Sequence, residues 1–461
     1  MGLSVIVLAA GVGKRMKSEL PKVLHPVLGT PMLNYVIEAV RGLLPERIVI
    51  VVGYGAEKIK EHINPEGISY ILQSEQLGTG HAVGCAKNAL QDFEGNIVIL
   101  NGDFPLIRTE TLRSLVDVHG RSGAGVTILS AFLDNPFGYG RVVRGVSGDV
   151  LSVVEEKDAT GEEKELSEIN SGAYCVKSSF LWEAIGQISP ENKQQEYYLP
   201  DIVNIASRCG KSVIASLAHD SQDVLGVNNR AELALVEEIL RRRTNDNLMD
   251  LGVSIVDPEA TYISPLVSIG ADTVIYPNTF IYGNTKIGKQ CVIGPSVWIE
   301  DSQIGNAVNI KFSSFITESQ IDDKATIGPF AHIRPETKIL SGAKIGNFVE
   351  IKKSKVGSGS KVPHLSYVGD ATLGEGVNIG AGTITCNYDG FQKHETIIDD
   401  DVFIGSDTML VAPVKIGKGG TTGAGSTITK DVPPGALAIG RAKQTIIKGW
   451  KRKPKERKAE D

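Results

Sequence analysis

One periodicity governs what the second half of this chain can fold into. An isoleucine returns every sixth residue at Ile263, Ile269, Ile275, Ile281, Ile287, Ile293 and Ile299. With single-residue deletions the ladder continues through Ile304, Ile310, Ile316, Ile321, Ile327, Ile333, Ile339, Ile345 and Ile351 to Val356, Val362, Val368, Leu373 and Ile379. After an interruption it resumes at Ile398, Ile404, Leu410, Ile416, Thr422 and Ile428. Six is a multiple of the strand period and not of the helical one, so extended segments would send each aliphatic to the same side. Stacked short strands around an apolar interior are predicted, a parallel β-helix with glycine-rich turns at its corners. Glycine fits that demand: 51 of 461 residues, against about 7% in ordinary proteins. Gly270, Gly288, Gly294, Gly305, Gly328, Gly346, Gly380, Gly405 and Gly417 each follow a ladder position.

The first half obeys other periods. Apolar runs SVIVLAA, RIVIVVG, NIVILNGD and GVTILSAFL alternate with helically spaced MLNYVIEAVRGLL and GTGHAVGCAKNAL, the pattern of an α/β domain with a mainly parallel sheet. Between the halves, Leu233, Val236, Leu240 and Leu248 lie near one helical stripe. A linker helix is expected at 229–250, with Arg241, Arg242 and Arg243 as a solvated basic end. The resulting division is 1–228, the linker, a coil at 251–440 and a basic tail at 441–461.

Chemistry enters where these patterns are decorated. LAAGVGKRM follows the first strand and is expected to lead into a helix, with Gly11 and Gly13 baring backbone N–H groups to phosphate and Lys14 and Arg15 adding charge. Met16 fails the third glycine of a dinucleotide fingerprint, and no G-K-[ST] follows. In order come PKVLHPVLGTPML with Lys22, QSEQLGTGHA, NGD ending in Asp103, GYGR, EEKDAT, EINSG and GVNNR. As an ordered set these resemble the sugar-1-phosphate nucleotidylyltransferases over residues 1–228, implying a Rossmann-like domain. With the hexapeptide half, which resembles left-handed parallel β-helices with three hexads per coil, the chain is similar to bifunctional bacterial N-acetylglucosamine-1-phosphate uridyltransferase/glucosamine-1-phosphate acetyltransferases.

That resemblance implies UTP as nucleotide, with Leu8, Ala9, Ala10, Gly11, Gly13, Lys14, Arg15 and Lys22 around the triphosphate. Gln73, Gln76, Gly78 and Thr79 would read uracil, while Gly140, Glu155 and Asn170 would grip the sugar. Asp103 and Asn228 would hold Mg²⁺. The chemistry is consistent: a sugar 1-phosphate is already an anionic nucleophile, so attack on the α-phosphorus needs charge neutralisation and in-line positioning rather than a general base. Asn101 is assigned no function.

Transfer of an acetyl group from acetyl-CoA to an amine makes another demand, because the ammonium must first lose a proton. A histidine, ordinarily titrating near 6.5, suits that task. His364 in VPHLSYVGD is the candidate base, with Glu350 a helper; His332 and His394 lack a comparable polar cluster in the sequence. The resemblance places Arg334 and Lys352 on the sugar phosphate, Tyr367 and Asn378 on the sugar, and Ala381, Asn387, Tyr388, Ser406, Ala424 and Arg441 around acetyl-CoA. The extra CNYDGFQKHE between Ile379 and Ile398 should project as a loop. Together with the family resemblance it implies a homotrimer with shared acetyl sites.

Net charge is −6, yet from Arg441 onward nine Lys/Arg face three Asp/Glu. A general nucleic-acid binder should not concentrate its surplus in a short tail, and none is expected. Val5–Ala10 is too short to span a bilayer, and five scattered cysteines form no C-x-x-C pair, so a cytoplasmic protein without membrane insertion is expected. Two alternatives remain open: a one-reaction nucleotidylyltransferase whose coil serves assembly or regulation, and a non-catalytic scaffold.

Overall fold

The computed structural model describes residues 2–63 and 66–452; positions 453–461 of the expected basic tail lie outside the described residues. The chain divides into two compact units, Met1–Arg243 and Thr244–Asp461. No helix among the described residues is long and apolar enough to cross a membrane.

In the first unit the strands run in spatial order Val213–Leu217, Val126–Phe132, Glu168–Lys177, Gly95–Asn101, Gly2–Ala9, Arg47–Val52 and Ile68–Leu72. The hairpin Gly140–Arg144/Val150–Val154 hangs on Glu168–Lys177. Pairing is parallel except along Glu168–Lys177 and within the hairpin. Continuous apolar runs suit strands covered on both faces, and two separate buried clusters flank the sheet. Leu8 pairs with Asn101, so the loops after these two central strands leave the same edge.

Two expectations fail here. LAAGVGKRM leads only into the single 3₁₀ turn Lys14–Met16. Gly13 and Lys17 on either side are left-handed, at φ 63° and 49°, which stops helical propagation, and Pro21 follows in a chain already turning away. The segment expected to face phosphate is therefore a loop with no helix dipole behind it. The helix Arg230–Asp250 forms with Arg242 exposed, but Arg243 is not part of a solvated end. Arg243 donates to Asp220 at 2.7 Å and lies 3.1 Å from the fully buried carboxylate of Asp223.

The second unit is a left-handed parallel β-helix whose three sheets hold eleven, ten and nine described strands. Every ladder aliphatic is buried in one continuous core. Single-residue deletions shorten a coil without disturbing its rungs: Ile275 pairs with Ile293, and Ile293 with Ile310. The long insertion is likewise looped out, since Leu373 pairs directly with Ile398.

Apart from Gly328, at φ 85°, the glycines that follow ladder positions do not take the left-handed corners as expected. Left-handed corners are taken largely by other residues, including Ser296, Ser313, Phe330, Phe348 and Leu365, all with φ between 50° and 57°. The ladder glycines instead permit coils to stack: a Cβ on Gly346 would lie 1.8 Å from the Pro363 carbonyl oxygen, and one on Gly380 2.4 Å from the Ser406 nitrogen. Only close approach of the next backbone demands glycine there.

On one outer face Tyr262, Phe280, Trp298 and Phe315 stack at centroid separations of 4.9, 5.4 and 5.8 Å, ending edge-on against His332. The same rung continues through Glu350 to Tyr367, where apolar decoration gives way to polar.

Candidate functional sites

A cavity of about 360 Å³ opens at the strand ends of the first unit. Of the expected residues, Leu8, Arg15, Thr79, Asp103, Gly140, Glu155, Asn170 and Asn228 line it. Lys22 reaches between two of these, ion-paired with Asp103 and donating to Asn228 Oδ1 at 3.1 Å. Gly13 earns its place twice, through its left-handed backbone and because a Cβ there would sit 2.8 Å from Lys22 Cβ. Ala9 and Ala10 are buried behind the loop, while Gly11 and Lys14 lie on it, Lys14 exposed.

Ala10 and Gln76 both close on Gly53, so the second expected segment adjoins the first. Gln73 is buried, its amide donating to the Gly78 carbonyl at 3.2 Å and meeting His81 Nδ1 at 3.0 Å. Thr79 Oγ1 accepts the Leu199 N–H at 3.0 Å. In the cavity wall Asn170 donates to the Tyr174 hydroxyl at 2.7 Å. Burial, then the carboxylates of Asp158, Asp201 and Glu196, push the Glu155 carboxyl above its usual range.

The donor set suits a hard cation. Asp103 Oδ1 is buried with no hydrogen-bond partner, and its neighbour is the Asn228 amide oxygen that shares Lys22. No three His, Cys, Asp or Glu gather as a metal site among the described residues. Two protein oxygens with the remainder left to water and phosphate is the pattern Mg²⁺ accepts. Asn101, assigned no function from sequence, lines the cavity, as do four residues not singled out: Tyr139, Tyr174, Gly172 and Gly226. Tyr139 lies inside GYGR and Gly172 within the EINSG segment, so the motifs carried the signal although single residues were chosen from them.

The second constellation lies on an edge of the prism. Backbone hydrogen bonds link successive coils there: Leu365 N–H to Asn347 O, Gly382 N–H to His364 O, Asp407 N–H to Ala381 O, and Gly425 N–H to Ser406 O. Asn347, His364, Ala381, Ser406 and Ala424 thus form one column, and Arg441 donates to Ala424 O at 2.6 Å. His364 is exposed, its Nδ1 2.6 Å from Asn347 Oδ1. Glu350, expected as a helper, has its carboxylate 2.7 Å from the permanently charged Arg334. Asn347, a polar side chain one coil from His364, was missed because the coil repeat must be known before the two can be paired.

On the adjoining face Lys352 pairs in register with Gly369, beside Tyr367. Lys393, from the inserted loop, is the main group holding the Lys352 ammonium below the ordinary lysine range, with Arg334 adding to it. Asn387 donates to Asp370 at 2.5 Å and to the Tyr367 hydroxyl at 3.5 Å. Asn378 is half-buried on the next coil, in register with Lys361. Tyr388 is exposed at the root of the loop, and His394, contrary to expectation, has an acidic partner, Asp389, at 2.7 Å.

Comparison with known proteins agrees with both halves. Residues 5–162 match the family described as MobA-like NTP transferase domain, and 267–301 match bacterial transferase hexapeptide (six repeats). The bifunctional protein GlmU of Caldanaerobacter subterraneus is 52% identical over 445 residues, 96% of each chain. That of Carboxydothermus hydrogenoformans is 51% identical, covering 95% of this chain and 98% of its own. That of Pelobacter propionicus is 50% identical over 99% of both.

Proposed function

The chain belongs to the GlmU family of bifunctional proteins, and from that premise we propose how its two constellations divide the work. The enzyme acetylates glucosamine 1-phosphate with acetyl-CoA, then transfers UMP from UTP to the N-acetylglucosamine 1-phosphate formed, giving UDP-N-acetylglucosamine and pyrophosphate. Both reactions belong to the cytoplasm, where UTP and acetyl-CoA are supplied.

Acetyl transfer takes place on the prism edge. His364 accepts a proton from the sugar ammonium, with Asn347 fixing its ring; the freed amine attacks the thioester carbonyl, the C–S bond breaks and CoA leaves as thiol. Arg334 and Lys352 hold the sugar phosphate, while Tyr367 and Asn378 hold the sugar. From His364 to Ala424 are three coil steps, about 14 Å at ordinary strand spacing, a length the extended pantetheine arm spans. Ala381, Ser406 and Ala424 leave room along the column for that arm, Asn387 and Tyr388 flank it, and Arg441 at its far end meets a CoA phosphate.

UMP transfer takes place in the cavity. Glu155, Asn170 and the Gly140 backbone seat the sugar. Arg15, Lys14, Lys22 and the backbone amides of Gly11 and Gly13 draw the triphosphate in over Leu8, Ala9 and Ala10, and Gln73, Gln76, Gly78 and Thr79 take the uracil. The sugar phosphate oxygen attacks the α-phosphorus, the α–β bridging bond breaks, and pyrophosphate departs. Asp103 and Asn228 would hold Mg²⁺, which supplies neutralisation of charge on the reacting phosphates.

A homotrimer is the assembly this edge favours. Phe312 meets Phe330 edge-on at 4.9 Å and Phe330 stacks on Phe348 at 5.2 Å along it, all three more than 40% exposed, with Leu365 next. Apolar side chains on a single edge beside His364 suit another copy of the chain completing the acetyl site.

The observation that carries the two-site reading is that the cavity and the edge column lie in different units and share no residue. It is tested by assaying pyrophosphate release and CoA release separately in wild type, Asp103→Ala and His364→Ala. Each substitution should remove one activity and spare the other; loss of both from a folded variant would overturn the assignment of independent centres.

A further inference from the structure

The cavity oxygen of Asn228 stands one residue before the cap of the helix Arg230–Asp250. Asn229 Oδ1 accepts the N–H groups of Ala231 and Glu232 at 2.9 and 3.0 Å. Glu232, three residues past that cap, reaches back. Its carboxylate accepts the Asn228 N–H at 2.6 Å and the Asn229 side-chain amide at 2.5 Å. This is a capping box shifted by one residue, so that the N–H it secures belongs to the residue presenting the amide oxygen. The turn is tied at two further points: Val227 N–H to the Asp103 carbonyl at 3.1 Å and Gly226 N–H to the Tyr139 hydroxyl at 3.2 Å. Among the described residues, the Glu232 bond is the one that acts on Asn228 itself from the helix side.

We propose that Glu232 is a positioning residue for the divalent cation, acting through the backbone of Asn228. It touches neither substrate nor metal. By satisfying the Asn228 N–H it fixes the backbone from which Oδ1 is presented. Outer partners of this kind commonly change metal affinity by about 10–100-fold. The inference rests on the reading that Asp103 and Asn228 hold the cation.

The test uses the full-length chain and Mn²⁺ alone, with free ion followed by electron paramagnetic resonance and far-ultraviolet circular dichroism as a check that the first unit is folded. Glu232→Ala should weaken Mn²⁺ binding about 10-fold or more, and Asn228→Ala further still, with the helical dichroism of wild type kept in both. Glu232→Gln keeps an acceptor oxygen for the Asn228 N–H and should recover most of the affinity. If Asn228→Ala loses Mn²⁺ while Glu232→Ala binds like wild type, positioning by Glu232 is wrong and the cation site stands. If Asn228→Ala also binds normally, the cation site itself is wrong. A glutamine variant as weak as the alanine one would overturn positioning through the hydrogen bond, leaving charge as the cause.

Discussion

The cavity and the prism edge solve opposite problems. In the cavity the chain folds around its own charges: Lys22 is matched by Asp103 and Asn228, and the walls come from loops widely separated in sequence. On the edge, groups are laid out one per coil in the open, and the Lys352 ammonium lies beside a second one, Lys393. A concave site can be complete within one chain, whereas a convex edge offers only one side to a ligand. The contrast explains why the exposed apolar column accompanies the edge and not the cavity, and it implies that the two activities differ in their dependence on assembly.

The sharpest way to break this comparison is to remove each chemical group. His364→Ala should lower CoA release by about 10²–10⁴-fold, the usual worth of a positioned base. Asp103→Ala should lower pyrophosphate release by about 10²–10³-fold, with the other product unaffected in each case. A backbone test comes next. Gly346→Ala places a Cβ 1.8 Å from the Pro363 carbonyl oxygen, directly before His364. The coil must shift, destabilising the second unit by about 1–3 kcal/mol in denaturant unfolding. CoA release should fall while pyrophosphate release persists; equal loss of both would mean that the units do not act separately.

How legible each region was follows from the same contrast. The six-residue ladder exposed the β-helix because one physical requirement, an inward aliphatic, repeats in every coil. The cluster Arg334, Lys352, Tyr367 and His364 stood out as polar intrusions on a regular background. What periodicity concealed was the purpose of the glycines, since approach of the next coil leaves the same mark in sequence as a tight turn. Pairings across coils, such as Asn347 with His364, were hidden until the 17- or 18-residue coil was known. In the cavity the motifs were visible in order, but Tyr139 and Gly172 reach the wall through tertiary folding. The helix expected after Gly13 was lost to two left-handed residues that no apolar pattern announces. Arg243 looked solvated because its partners, Asp220 and Asp223, are some twenty residues away.

Smaller effects sharpen the comparison further. Glu155 lies among acids and its carboxyl is pushed up, first by burial, so folding favours its protonated form. That contribution is present below the unfolded carboxyl value of about 4.3 and is lost as pH rises through the folded value, leaving a cost at neutral pH. Glu155→Gln should therefore raise thermal stability at pH 7, with the gain shrinking toward pH 4, while raising KM for the sugar phosphate about 10-fold, as expected for loss of a charged acceptor. A variant without the stability gain would mean that the acid cluster is relieved by solvent.

Arg441 offers the smallest change and the cleanest contrast with Lys22. It is exposed and, among the described residues, bonded to the Ala424 carbonyl, so a ligand phosphate there would be met in water, where a charge pair is weak and screened. Arg441→Ala should raise KM for acetyl-CoA only about 2- to 5-fold, with kcat for CoA release unchanged. Added salt should erase the difference between variant and wild type. A fall in kcat instead would show that the column's far end also orders the thioester beside His364, making the edge more rigidly organised than its exposure suggests.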